Sequence, residues 1–305
     1  MKPTPSFALF RLSAGLFTAL VLSAVGVRAA DAGYRLVPDF PRLPADLRLG
    51  PVSAVDLDAQ GRLFVFHRGK PPILVLTAAG QLAATFGKGL FDSTHGLRFD
   101  AEGNVWTTDN KNHTVVKLSP AGDVLLKLGE RNVKGVDAAH FDRPTDVAFA
   151  VNGDVFIADG YGNSRVVKFD RHGRYLLEWG RRGKGPGEFH LPHAIRLDSK
   201  GRVYVGDREN NRVQVFDQQG GYLREFGGFA PYGLFITAED LLFVADGRAN
   251  EVIKMTLEGR VLARWGAFGS EPGNFNMPHG IAVGDDGAVY VSEINGKRLQ
   301  KFVPR

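Results

Sequence analysis

The sequence predicts an all-β fold, a six-bladed β-propeller whose ring is closed by an N-terminal strand. Three observations carry the prediction. A segment recurs six times along the 305 residues, beginning near Ser53, His95, Thr145, His193, Tyr232 and His279. The steps are about 40 to 50 residues, the range in which self-similarity marks propellers and solenoids. Each full copy holds four short runs of alternating apolar and polar residues between glycine turns, with no helical periodicity. The last copy has only three such runs before the chain ends, and a spare strand-like segment, Tyr34-Arg35-Leu36-Val37, precedes the first.

Within a copy the elements follow a fixed order. An apolar run such as Ala194-Ile195-Arg196-Leu197 opens it. A turn follows, Asp58-Ala59-Gln60-Gly61, Asp100-Ala101-Glu102-Gly103 or Asp198-Ser199-Lys200-Gly201. An alternating strand such as Val203-Tyr204-Val205-Gly206-Asp207 comes next, then a third such as Arg212-Val213-Gln214-Val215-Phe216. An outer strand ends in aromatic-Gly: Phe86-Gly87, Trp179-Gly180, Phe226-Gly227, Trp265-Gly266. Four antiparallel strands per copy describe a propeller blade. The sixth copy supplies three, Ile281–Val283, Ala288–Val291 and Leu299–Val303, so Tyr34–Val37 is expected to add the fourth and cover the open edge.

The first residues read differently. Lys2 and Arg11 precede an apolar stretch from Leu12 to Val27, followed by Val27-Arg28-Ala29. This is the pattern of a secretory signal cut after Ala29, leaving residues 30–305 as one propeller domain exported to the periplasm or beyond. The stretch is short and interrupted by small residues for a membrane anchor. Without Lys2, Arg11 and Arg28 the formal charge of +5 becomes +2. The remaining charges are dispersed, with no basic tract or aromatic platform for nucleic acid. The absence of cysteine excludes disulfides, thiolate ligands and thiol nucleophiles.

The strongest chemical signal is an alternation. His95, His193 and His279 occupy one place in copies two, four and six, while Ser53, Thr145 and Tyr232 occupy it in copies one, three and five. In a six-membered ring the three histidines lie about 120° apart and converge on the axis, as a three-histidine metal site requires. The end of each second strand lies beside the start of the first, because the two are antiparallel. Arg68, Tyr161 and Arg208 follow such ends and are therefore expected at the same mouth. The recurring Asp109, Asp159, Asp207 and Asp246 read as turn-stabilising acids, and Asn163 with Arg165 and Asn211 with Arg212 as blade scaffolding. Copy one breaks the acid pattern with His67, which stays ambiguous; His113, His140, His172 and His190 fall outside the alternation and read as surface or loop residues.

Three neutral imidazoles leave a coordination position open on a zinc-like ion, which polarises a bound oxygen. A phenol beside the metal and Arg68 would have its phenolate stabilised and its pKa lowered. Guanidiniums suit a substrate carboxylate. The residues alone imply a metal-assisted lyase or hydrolase acting on a small anionic group.

One set of motifs recurs along the span from about Val52 to Val303: Val65-Phe66-His67-Arg68-Gly69, His95-Gly96-Leu97, Arg143-Pro144-Thr145-Asp146-Val147, Asp159-Gly160-Tyr161-Gly162-Asn163-Ser164-Arg165, Pro192-His193, Asp207-Arg208-Glu209-Asn210 and Met277-Pro278-His279. On these residues the blades resemble NHL repeats, and the span resembles the peptidyl-α-hydroxyglycine α-amidating lyase family. The resemblance implies that His95, His193 and His279 bind a catalytic Zn2+ or another divalent transition metal. It implies that Tyr161 is the base, with Arg68 nearby and Arg208 supporting. It implies cleavage of the C–N bond of a C-terminal α-hydroxyglycine to give an amide and glyoxylate. The family also holds a channel calcium (Ca2+), on backbone carbonyls that map to Val55 and Leu97 and on an acidic side chain after the third histidine. Gly280 stands at that last position, so the calcium loses its charged ligand and is in doubt. The hydroxylating domain of the bifunctional animal enzymes is missing, so a peptide substrate would need a separate hydroxylase.

The expected partner is thus a peptide or small molecule ending in an α-hydroxyglycine-like group, with no nucleic acid, no membrane after signal cleavage, and a monomeric protein. Ureidoglycolate or another α-hydroxy amide is an equally open substrate. A secreted NHL-type propeller that binds a peptide, glycan or protein without catalysis is the competing reading, because one fold hosts many functions.

Overall fold

The computed structural model describes Met1, Ala29 and residues 32–305. The signal segment expected over residues 1–29 therefore lies outside the described residues, apart from its two end positions. Strand β1 (Tyr34–Val37) comes first, and then the blades follow in chain order. Blade 1 is β2 (Val52–Leu57), β3 (Leu63–His67), β4 (Ile73–Leu76) and β5 (Leu82–Phe86). Blade 2 is β6 (Thr94–Phe99), β7 (Val105–Asp109), β8 (Thr114–Leu118) and β9 (Val124–Leu128). Blade 3 is β10 (Pro144–Phe149), β11 (Val155–Asp159), β12 (Arg165–Phe169) and β13 (Tyr175–Trp179). Blade 4 is β14 (Pro192–Leu197), β15 (Val203–Asp207), β16 (Arg212–Phe216) and β17 (Tyr222–Gly227). Blade 5 is β18 (Pro231–Ile236), β19 (Leu241–Asp246), β20 (Glu251–Thr256) and β21 (Val261–Trp265). Blade 6 is β22 (Pro278–Val283), β23 (Val289–Glu293) and β24 (Leu299–Pro304), with β1 as its outer strand.

The ring closes as the sequence predicts. Strand β1 pairs antiparallel with β24, Tyr34 opposite Pro304 and Val37 opposite Lys301. The Tyr34 ring stacks on Trp265 of blade 5, with centroids 4.8 Å apart. The closing strand is thus held both by ladder hydrogen bonds and by an aromatic contact across the blade interface. The inner strands form a cycle: β2 lies against β6, β6 against β10, β10 against β14, β14 against β18, β18 against β22, and β22 against β2.

The core is divided in the same way. Six apolar clusters fill the six gaps between neighbouring blades. Strand alternation sends one apolar face of each blade to each neighbour, so every blade is buried on both sides. The turns between first and second strands work as the Asp-x-x-Gly pattern requires. Asp58 Oδ1, for instance, accepts from the backbone N–H groups of Gln60 and Arg62, and Gly61 takes φ +71°. The only helix among the described residues is one 3-10 turn, Arg208–Asn210.

Candidate metal centre

Each inner strand begins with the same irregularity. The register with the second strand slips between Val52 and Ala54, Thr94 and Leu97, Pro144 and Asp146, Pro192 and Ala194, Pro231 and Gly233, and Pro278 and Gly280. The residues inside the slips include Ser53, His95, Thr145, His193, Tyr232 and His279. A β-bulge re-aims the side chain it carries. Here it brings three imidazoles together on the ring axis.

The three histidines are buried, with exposures of 2% for His95, 1% for His193 and 5% for His279. Their ring centroids are 4.7, 4.8 and 4.9 Å apart and their planes cross at 72–75°. The arrangement is close to threefold, and one nitrogen of each ring lies within 4.8 Å of the others. The other nitrogen of each is occupied. Nδ1 of His95 donates to the Thr145 carbonyl (2.6 Å), Nδ1 of His193 to the Tyr232 carbonyl (2.7 Å), and Nδ1 of His279 to the Ser53 carbonyl (2.6 Å). Every acceptor is the equivalent residue of the next blade. With Nδ1 protonated and neutral rings, each Nε2 presents a lone pair to the axis. Burial is the main reason the rings stay neutral, holding His95 down to about 3 and His193 and His279 well below the ordinary histidine value. The charges of Arg208 and Arg68 act in the same direction. Three neutral, oriented, buried imidazoles fit a borderline divalent metal such as zinc, and the Nδ1–H···O=C bonds are the outer contacts that fix such ligands.

Tyr161 follows β11 and reaches the same point. Its Oη is 3.2 Å from His95 Nε2 and 3.1 Å from His193 Nε2. Gly160 permits this placement: a Cβ there would fall 1.9 Å from the Pro192 carbonyl oxygen, so any other residue would push the tyrosine loop off β14. Arg208 opens the 3-10 turn after β15. Its Nη1 donates to Tyr161 Oη at 3.3 Å, and its Nε to Glu209 at 2.8 Å. The guanidinium lies 5.4 Å from the Tyr161 ring centroid and 4.7 Å from that of Tyr232.

The expectation that Arg68 stands beside Tyr161 needs correction. Arg68 is exposed, and its Nε donates to the Thr94 carbonyl at 3.4 Å, on the blade 1–blade 2 side of the triad. It borders an open cleft of about 940 Å3 with Lys70, Lys88 and Phe91. The guanidinium in contact with the phenol is that of Arg208, because the short 3-10 turn folds it back over the mouth. Tyr232 also belongs to the site, its ring 5.4 Å from that of His193, and its shared repeat position with the histidines is the sequence signal for it.

His67 is a scaffold residue. Its Nδ1 accepts from Gly50 N–H (3.0 Å), and its Nε2 donates to the Pro71 carbonyl (2.8 Å). That is the work of the strand-end acid elsewhere: Asp159 accepts from Asp142 N–H, Asp207 from His190 N–H, and Glu293 from Asn276 N–H. Asn163 and Arg165 both donate to Asp159, and Arg212 to Asp207. In blade 4, however, the amide partner of Asp207 is Asn210 and not Asn211, which is displaced into a left-handed conformation by the 3-10 turn. His113, His140 and His190 bond to Arg143, Asp137 and Arg182 away from the triad, and His172 sits exposed in an outer turn.

The calcium set does not fit. The carbonyls of Val55 and Leu97 both accept from Arg98 Nη1, at 3.4 and 2.5 Å. A Cβ on Gly280 would lie 2.6 Å from Ser292 Oγ and 3.0 Å from Ala54 Cα, so the packing has no room for an acid there.

Comparison with known proteins agrees with the fold and names the family. The NHL repeat model matches residues 141–169, 189–216 and 275–302. The chain is 32% identical to the Caenorhabditis elegans protein named "Probable peptidyl-alpha-hydroxyglycine alpha-amidating lyase pgal-1", over 82% of each. It is 33% identical to human "NHL repeat-containing protein 3", over 92% of this chain and 87% of that one. It is 32% identical to the Xenopus laevis "Peptidyl-glycine alpha-amidating monooxygenase B" over 87% of this chain, and spans 35% of that protein. Among solved structures, a streptogramin B lyase superposes with a TM-score of 0.65 at 17% identity, over 89% of this chain and 98% of that one, a likeness that shows the fold alone. The chain belongs to the peptidyl-α-hydroxyglycine α-amidating lyase family of NHL-repeat propellers.

Proposed function

We propose that the protein is a metal-dependent carbon–nitrogen lyase that cleaves an α-hydroxyglycine-type amide into glyoxylate and an amide. The observation that carries this is Tyr161 Oη, set between the ligand nitrogens of His95 and His193 and touched by Arg208. A bound zinc-type ion would polarise the substrate's hydroxyl and carboxylate oxygens. Tyr161, as a phenolate held by the Arg208 guanidinium, is positioned to take the hydroxyl proton and become the neutral phenol. As the O–H electrons become the C=O bond of glyoxylate, the C–N bond breaks. Its electron pair leaves with the amide nitrogen, which then takes a proton. Arg68, on the opposite side of the triad, offers its guanidinium to the substrate carboxylate. The signal-like segment Leu12–Val27 supports action outside the cytoplasm.

The test is glyoxylate release by the zinc-loaded protein from a peptide ending in α-hydroxyglycine and, separately, from ureidoglycolate. Release from the peptide supports the reading. Release from ureidoglycolate alone would move the substrate to a small α-hydroxy amide. A second reading is a non-catalytic secreted NHL propeller, because one fold hosts many functions. Metal at the triad with no turnover of either substrate would favour it.

A further inference from the structure

One layer below the histidines the channel holds a second buried cluster. Arg98 of β6 and Arg196 of β14 stand at equivalent positions in blades 2 and 4, and Asp146 of β10 lies between them in blade 3; their exposures are 7%, 9% and 3%. One carboxylate oxygen, Asp146 Oδ2, accepts from Arg98 Nη2 (3.2 Å), Arg196 Nη1 (2.8 Å) and the backbone N–H of Ile195 (3.3 Å). Arg98 Nη1 spans the gap between blades by donating to Val55 of blade 1 and Leu97 of blade 2. Arg196 Nη1 donates to the Ile195 carbonyl of blade 4. The other oxygen, Asp146 Oδ1, faces the backbone of Gly96, 3.0 Å from where a Cβ would stand.

Buried inner-strand carbonyls that turn toward the channel need a donor or a cation. Two guanidiniums meet that need here: they already engage the Val55, Leu97 and Ile195 carbonyls and the Asp146 carboxylate, and Asp56 lies within the field of both. We propose that Arg98 and Arg196, bridged by Asp146, are a tethered structural cation that ties blades 1 to 4 together in place of dissociable calcium. The integrity of the ring is then independent of calcium supply.

The test uses the zinc-loaded protein, both unaltered and carrying Asp285→Asn and Asp286→Asn, which removes two of the four acids (Asp56, Asp58, Asp285 and Asp286) lining a surface pocket that could bind calcium on its own. A real calcium site filled at 100 times its Kd would raise Tm by roughly 5–10 °C. The expected response to calcium is under about 1 °C, with no stoichiometric uptake in a calorimetric titration. One equivalent bound with a rise of the larger size overturns the proposal. Arg98→Met, similar in length but uncharged, is expected to lower Tm by at least about 5 °C; an unchanged Tm would also overturn it. If that variant does not fold, the calcium titration still decides.

Discussion

Nδ1 of His279 donates to the carbonyl oxygen of Ser53, 2.6 Å away in space and 226 positions away in sequence. The last blade therefore orients its candidate metal ligand on the first, and ring closure and metal binding should be coupled. Removing zinc is expected to lower Tm by roughly 5–10 °C relative to protein held at 100 times the zinc Kd. His193→Ala should lose both the metal and this difference. The check is elemental analysis beside differential scanning calorimetry, with and without chelation.

Tyr161→Phe removes the proposed proton acceptor and leaves the imidazoles in place. Turnover is expected to fall by about 10²–10⁴-fold with metal content unchanged. Metal loss in this variant would make Tyr161 a ligand and not a base. Single-turnover glyoxylate release and metal analysis on one preparation separate the two.

Acid should destabilise the metal-free protein through the triad. In the unfolded chain a histidine titrates near about 6.5, whereas burial keeps His95 neutral down to about 3 and the other two neutral as well. Below that unfolded value the unfolded state holds protons that the folded state refuses, so stability falls as pH falls. The slope contributed by each histidine approaches about 1.4 kcal/mol per pH unit. Urea denaturation of chelated protein at several pH values between 7.5 and 4.5 measures it. His279→Gln should reduce the slope by about one histidine's share, and an unchanged slope would remove the triad as its cause.

His67→Ala should behave unlike any triad variant. It leaves Gly50 N–H and the Pro71 carbonyl without their partner, at a cost of about 1–3 kcal/mol. Metal stoichiometry should stay at the wild-type value. Chemical denaturation with metal analysis distinguishes this from loss of a ligand.

Tyr34→Ala tests the closing strand. The side chain is 5% exposed and stacked on Trp265, so its loss should cost about 3–5 kcal/mol. Equilibrium unfolding in urea reads it. A cost below about 1 kcal/mol would mean that the β1–β24 ladder alone closes the ring.

The fold was legible in the sequence because a blade repeats its own signal six times. The donated strand was legible because the sixth copy is one run short. The triad could be seen because position in the repeat substitutes for position in space. Contacts that depend on side-chain reach or loop shape were not legible. Nothing in the residue order says that the 3-10 turn swings Arg208 onto Tyr161 while Arg68 stays on the far side. The same turn moved the amide partner of Asp207 from Asn211 to Asn210. Arg196 sits in a run that is apolar in outline and Arg98 carries no signal of its own, and only the closed ring shows that both reach Asp146 across the channel.

The alternation of inner-strand residues has a consequence for blade number. Even blades contribute nitrogen ligands, and odd blades contribute the carbonyls that orient them, so the chemical repeat is a pair of blades and the site counts three pairs. A five- or seven-bladed ring built from the same units would place two ligand blades, or two orienting blades, side by side. Every blade carries the backbone carbonyl, so what such a ring loses is the even threefold spacing of the imidazoles. Parity is thus a property of this centre: an odd number of blades cannot keep the alternation all the way round.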